Sequence, residues 1–253
     1  MSNHGEEKNM GNIDCVIGEY SKTTQLERVR YYPRQLITAA DLMLDQQYHI
    51  EKQRRHNRML HGWGIVCGLE VTQLTGKPLI VTISSGYALS PQGDEIYLPE
   101  EFQFDLEQYL KGQVSPCASP CGSVISELAS ITSPFYIAIR YAECLSNPVR
   151  VSPLGCGCDD TACEYSRIRD GFELTCLQTL PVTHGNSDSL VDVCGEEVMS
   201  TKVVPCIPCS QDPWIVLAKI TKVGDVLSFE PDGRRLLLAT NVMQQHLISK
   251  CSL

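Results

Sequence analysis

The sequence lacks any run long enough to cross a membrane as a helix. Its uncharged apolar stretches, such as Leu79-Ile80-Val81 and Trp214-Ile215-Val216-Leu217-Ala218, fall far short of the roughly 18 residues required, so no integral membrane segment is expected. The polar, acidic opening Met1-Ser2-Asn3-His4-Gly5-Glu6-Glu7 lacks the basic start and apolar core of a secretory signal. Synthesis and assembly in the cytoplasm are therefore expected. Positive charge is also scarce, with 21 Lys and Arg against 30 Asp and Glu for a net charge of −9. Residues 1–62 are nearly balanced, and the excess acid lies in the rest of the chain. Affinity for a phosphate backbone comes from clustered Lys and Arg, so nucleic acid is excluded as the natural partner. Aromatic residues make up only 7% and none gathers in the cysteine-rich stretches, which weighs against a glycan-binding adhesion module.

Catalytic motifs are missing as well. There is no phosphate loop, no His-Glu-x-x-His and no Gly-x-Ser-x-Gly elbow. Gly62-x-Gly64-x-x-x-Gly68 has the wrong last spacing for a dinucleotide fingerprint and follows a helical pattern rather than a strand. Its glycines read as a helix cap and a tight strand entry. Cys67 near His61 is the obvious nucleophile and base pair by sequence, but Cys67 lies within a strand pattern where a buried small apolar residue is the ordinary expectation. A non-enzymatic protein is expected.

What is present begins with an arm. Residues 1–30, rich in Gly, Asn, Ser, Lys and Glu at the start, show little apolar periodicity and need a partner to become ordered. Residues 31–62 form a docking segment. Thr38 can cap a helix, with Asp41 three residues on returning the bond to the cap backbone, and the helix runs to about Leu60 before His61-Gly62. The line Leu42, Gln46, His49, Gln53, His56, Leu60 is apolar only at its ends. It reads either as a solvated face or as a polar seam between subunits in which His49 and His56 hydrogen bond. The two histidines stand about 10 Å apart along the helix and cannot share a metal ion alone. Arg54, Arg55 and Arg58 place positive charge on the last turns, where the helix dipole favours it, and Trp63 offers a large apolar anchor just beyond. Arg54, Arg55, Arg58, Trp63, His49 and His56 are thus the candidate assembly residues.

From residue 63 to 253 the pattern is that of a β body. Short β-branched runs are broken by Gly76-Lys77-Pro78, Ser84-Ser85-Gly86 and Pro91-Gln92-Gly93-Asp94, the punctuation of successive antiparallel strands. The expected fold is mainly β with one long N-terminal helix, the body an antiparallel β-sandwich or barrel. Residues 111–133 read as a short irregular excursion, and residues 144–212, rich in Gly, Pro, Asp and Cys, as a long one. Ten of the thirteen cysteines fall between Cys117 and Cys209. Cys156, Cys158 and Cys163 with the pair Cys206 and Cys209 have the makings of a structural zinc site. Disulfides and free thiols are the competing readings, and the spacing leaves the three open.

The string Tyr31-Tyr32-Pro33-Arg34-Gln35-Leu36-Ile37-Thr38-Ala39-Ala40-Asp41, continued by Arg54-Arg55-His56-Asn57-Arg58-Met59-Leu60-His61-Gly62-Trp63-Gly64-Ile65-Val66-Cys67-Gly68-Leu69-Glu70-Val71, resembles proteins encoded in gene clusters for extracellular contractile injection systems, which are phage-tail-like particles. The run Val81-Thr82-Ile83-Ser84-Ser85-Gly86-Tyr87-Ala88-Leu89-Ser90-Pro91-Gln92-Gly93-Asp94-Glu95-Ile96 is similar to a pattern common in phage baseplate and fibre-attachment proteins. The resemblance covers residues 31–98 closely and residues 135–220 more loosely. It implies a structural component of the baseplate region, near the spike or tail end, with other baseplate or spike subunits as partners, released within an extracellular particle; a homo-oligomeric ring is expected because a polar-centred helix and a polar arm are costly to order in isolation. It implies no catalytic residue. The alternatives are a ligand- or glycan-binding adhesion module and a metal-dependent or thiol enzyme. The latter would draw on His184, the one histidine of the long excursion, which is expected to be solvated.

Overall fold

The structure, a computed structural model, describes residues 26–77, 79–106, 109, 122–124, 133–150, 163–185, 210–223 and 226–251. Residues 1–25 of the expected arm and most of 111–133 lie outside these, as do Cys156, Cys158, Cys206 and Cys209.

Helix α1 spans Ala39–Leu60. At its start Asp41 N–H donates to Thr38 Oγ1 at 3.2 Å and Thr38 N–H donates to Asp41 Oδ2 at 2.8 Å, so two backbone donors are satisfied reciprocally. The preceding segment turns at Pro33-Arg34, where Gln35 N–H donates to Tyr32 O and Arg34 takes φ 67°. It then lies along one side of the helix, with Tyr31 hydrogen bonded to Asp45 and the Arg28 guanidinium 5.9 Å from the Tyr48 ring. Of the 22 helix residues only Asn57 is buried.

The body starts with a three-stranded meander in which each strand bends midway. Strands β1 (Gly64–Gly68) and β2 (Val71–Gln73) form the first, β3 (Ile80–Ile83) and β4 (Gly86–Leu89) the second, and β5 (Glu95–Leu98) and β6 (Phe102–Asp105) the third. The bends divide the meander into one sheet ordered β1-β4-β5 and another ordered β2-β3-β6. At the corner the chains nearly touch. A Cβ on Gly68, which has φ +61°, would stand 1.9 Å from Ser85 O, so only glycine fits.

A five-stranded sheet packs with it, ordered β11 (Val226–Glu230), β10 (Ile215–Val223), β8 (Phe135–Arg150), β9 (Cys163–Leu177) and β7 (Gly122–Val124). All its pairings are antiparallel except β7 with β9. Val81, Ile83 and Phe104 from the meander meet Ile137, Leu174 and Ile215 in a single buried cluster. Tyr109 is buried there too, its hydroxyl accepting from Cys176 N–H and bonding Thr175 Oγ1 at 3.0 Å. The architecture is mainly β as expected, but the described residues form packed sheets and no closed barrel.

The largest departure from expectation concerns residues 144–212. Residues 144–150 and 163–170 are not irregular, and the β-pattern of Gly171-Phe172-Glu173-Leu174 is realised within the same strand as residues 163–170. They continue β8 and β9 into a long antiparallel ribbon, paired from Tyr136↔Leu177 out to Arg150↔Cys163. The sequence concealed this because residues 143, 145, 147–149 and 164–170 are exposed, so both faces of the outer ribbon are solvated and no apolar alternation is needed. A single helical turn, Val182–Gly185, and helix α2, Thr240–Cys251, complete the described elements.

Candidate assembly junction

Three of the residues singled out from sequence, Arg54, Arg58 and Trp63, converge on the point where α1 enters the body. The turn after β4 is built by Ser90 and Asp94, with Asp94 N–H donating to Ser90 Oγ and Gly93 N–H to Ser90 O, both at 2.9 Å. Gly93 takes φ +97°, which brings its backbone against the carbonyl of Arg54. Three side chains on one face of α1 seize this turn. Arg54 forms an ion pair with Asp94 while also reaching Glu51 at 2.9 Å, Asn57 Nδ2 donates to Gly93 O at 2.8 Å, and Arg58 donates to Gln92 O. Burial works against the Arg54 charge, but the carboxylates of Asp94 and Glu51 together outweigh it and hold its pKa above the ordinary value. Arg54 and Arg58 thus fasten the helix to its own body, whereas Arg55 is exposed.

Beyond α1 the chain reverses at Gly62, with φ 80°, after His61 and Gly62 N–H groups both donate to Asn57 O. Trp63 then enters the body and is only 7% exposed. One side of its ring carries the Arg235 guanidinium, 4.3 Å from the centroid, and the His184 imidazole approaches edge-on at 4.8 Å. Arg235 Nε also donates to Trp63 O. Its neighbour Arg234 donates to three carbonyls, those of Gly68, Leu69 and Leu217, and so ties β1 to β10. The backbone between them completes the strap, since Ile65 N–H donates to Arg235 O and Leu237 N–H to Ile65 O, each at 2.8 Å.

His184 contradicts its expected solvation. It is 8% exposed, and its Nε2 accepts from Val216 N–H at 3.1 Å, which leaves the proton on Nδ1 facing Thr183 Oγ1. Burial, reinforced by the Arg235 charge, pushes its pKa down to about 4. Because the folded pKa lies below the unfolded value near 6.5, neutral His184 contributes stability that is complete above about pH 6.5. That contribution is lost as pH falls towards 4. From the 1.36 kcal/mol per pKa unit it amounts to about 2–3 kcal/mol after discounting for incomplete burial. Chemical denaturation at pH 7 and pH 4.5 tests it: the wild-type chain is expected to lose about 2 kcal/mol more than His184→Gln between the two. Equal losses would contradict this role.

The remaining candidates are not brought together. His49 and His56 are exposed on α1, where His49 meets Tyr48 and His56 meets His61 at 5.6 Å between ring centroids. Cys67 is exposed rather than buried, because β1 is the edge of its sheet and its register shifts between Ile65 and Cys67. Buried Cys176 has its thiol pushed well up by desolvation and is inert. Cys163 opens β9, and the other four proposed zinc ligands lie outside the described residues. Among the described residues no group of three potential ligands gathers, and no helix is long and apolar enough to cross a membrane. Sequence reasoning missed Arg234 and Arg235 altogether. Their only sequence signal is a pair of cations following Pro231-Asp232-Gly233, which reads equally well as a solvated turn.

No protein-family model matches the chain, and no curated protein matches it. Among solved structures it is similar to the crystal structure of TssK, with 11% identity and a TM-score of 0.38 over 81% of this chain and 41% of that one. It is similar also to a chain of the TssK-TssF-TssG baseplate subcomplex of the type VI secretion system, with 10% identity and a TM-score of 0.40 over 82% of this chain and 60% of that one. The chain spans less than two thirds of either.

Proposed function

We propose that the chain is a non-enzymatic structural subunit of a contractile injection particle, in its baseplate region, that docks on neighbouring subunits through α1 and assembles as a ring. The observation that carries this reading is the exposed apolar side chains at the start of a helix that, among the described residues, is fastened to the body near its C-terminal end. Leu36 is 85% and Met43 68% exposed, and Leu42, Leu44 and Ile50 are exposed beside them. Met43 and Ile50 share one face, and Leu42 and Leu44 flank it on either side, so apolar side chains are exposed around the helix start. Met43 and Ile50, two turns apart, continue towards the N-terminus the stripe that Arg54 and Asn57 occupy against the body. The resemblance of residues 31–98 to proteins of injection-system clusters supplies the kind of assembly. A structural role for the cysteine-rich stretches, as zinc ligands or disulfides, belongs to the same reading.

The test is the double substitution Met43→Glu with Ile50→Glu. Both sites are exposed, so the isolated chain is expected to keep its stability within about 0.5 kcal/mol. Co-purification with the other particle subunits should be lost. Particles that incorporate the double variant at the wild-type level would contradict docking through α1.

A further inference from the structure

The outer β8–β9 ribbon has two chemically opposite faces. In an antiparallel pair, directly opposed residues share a face, so the register places Glu143, Leu145 and Val149 with Glu164, Ile168 and Asp170 on one side. The other side carries Cys144, Ser146 and Pro148 with Tyr165, Arg167 and Arg169. The first face is acidic and apolar, with Leu145 62% and Ile168 60% exposed directly opposite each other. The second is basic, with the exposed arginines two residues apart.

The charges on both faces are arranged at a cost to the isolated chain. Glu143 and Asp170 face each other across the ribbon, and like charges so placed destabilise the pair. The Tyr141 hydroxyl donates to Asp170 at 2.7 Å and lies 3.3 Å from Glu143. That hydrogen bonding brings no positive charge, and no ion pair to either carboxylate is formed among the described residues. Arg167 and Arg169 likewise form none there. Closer to the body the situation differs: Arg140 is paired with Glu173 and stacked 4.7 Å from the Trp214 ring. The uncompensated charge is therefore confined to the projecting half of the ribbon, beyond the pairing with β10 and β7.

We infer that this ribbon is the contact between copies of the chain, the acidic and apolar face of one copy receiving the basic face of the next. The arginines of one ribbon meet the opposed Glu143 and Asp170 of the other, and Leu145 and Ile168 are covered by Tyr165 and Pro148. Each copy keeps one face of each kind free, so the contact is heterologous and propagates, closing as a ring when the rotation per copy allows. The contact itself rests on the ribbon alone, while its place in a ring rests on the assembly reading above. A chain that self-associates in this way but never enters a particle would refute that reading and leave this contact standing.

Sedimentation velocity of the full-length chain over a range of concentrations tests the inference. Wild-type protein is expected to self-associate, and less so in high salt, as screening requires. Reversing the first face with Glu143→Arg and Asp170→Arg, or the second with Arg167→Glu and Arg169→Glu, should each weaken self-association on the order of a hundredfold. An equimolar mixture of the two variants should regain it, because two basic faces then meet two acidic ones. Glu143→Gln with Asp170→Asn guards against misfolding, since it removes repulsion within the chain. It should weaken association with no loss of stability. A wild-type chain that stays monomeric, variants that associate like wild type, or a mixture no stronger than its components would each overturn the inference.

Discussion

Replacing Trp63 by alanine is expected to lower the stability of the chain by about 3–5 kcal/mol, the range for removing a large aromatic side chain from a packed site. The ring is buried between the body and the strap, with Arg235 on one side and His184 at its edge. Its removal therefore leaves a cavity and also deprives two polar groups of their packing surface. Arg235, whose pKa burial already lowers, would keep its bond to the residue 63 carbonyl but lose the ring that shields its charge. Equilibrium unfolding in urea measures the effect through the midpoint. Trp63→Phe should recover most of the loss, since it refills much of the volume. A loss below about 1 kcal/mol for alanine would show that the junction does not depend on the ring.

The second large effect is expected at Gly93. Its φ of +97° is one that L side chains rarely adopt, and a Cβ there would stand 2.2 Å from the Arg54 carbonyl oxygen. Gly93→Ala thus combines backbone strain of roughly 1–3 kcal/mol with overpacking of similar size, a total of about 2–6 kcal/mol. The clash is with helix backbone, which a rotamer change cannot relieve, so either the turn or α1 must move. Asn57 then loses its bond to Gly93 O and Arg54 its ion pair with Asp94. Hydrogen exchange should show the loss concentrated in residues 54–61 and the turn, with the strands of the five-stranded sheet still protected. Uniform loss of protection would mean that the helix is not a separately seated element.

The parts of this structure that could be read in the sequence are those with strong local chemistry. The cap at Thr38 and Asp41 needs only its own two side chains, and the turns at Ser84-Ser85-Gly86 and Pro91-Gln92-Gly93-Asp94 announce themselves by composition. The outer ribbon could not be read, because burial, not strand geometry, produces alternation, and Ser146-Asn147-Pro148 resembles a loop. Asn147 indeed has φ 59° within the strand. The junction was half legible. Trp63 and the glycines marked it from one side, but His184, Arg234 and Arg235 are more than 100 residues away in sequence, and only the folded sheet brings them there. Arg54 and Arg58 stand out in the sequence as cations on the last turns of the helix, able to face either the acidic body or an acidic neighbour. In the structure they hold the β4–β5 turn of their own chain.

Under the proposed function, the chain is a built-in part of an injection particle. Quantitative mass spectrometry of intact particles, purified from the organism that encodes the chain and washed at high salt, measures its abundance relative to the sheath and tube proteins. A fixed, reproducible ratio well below that of the sheath, as a baseplate component requires, is the expected result. Absence from the particles, or a ratio that varies from one preparation to the next, would contradict the account.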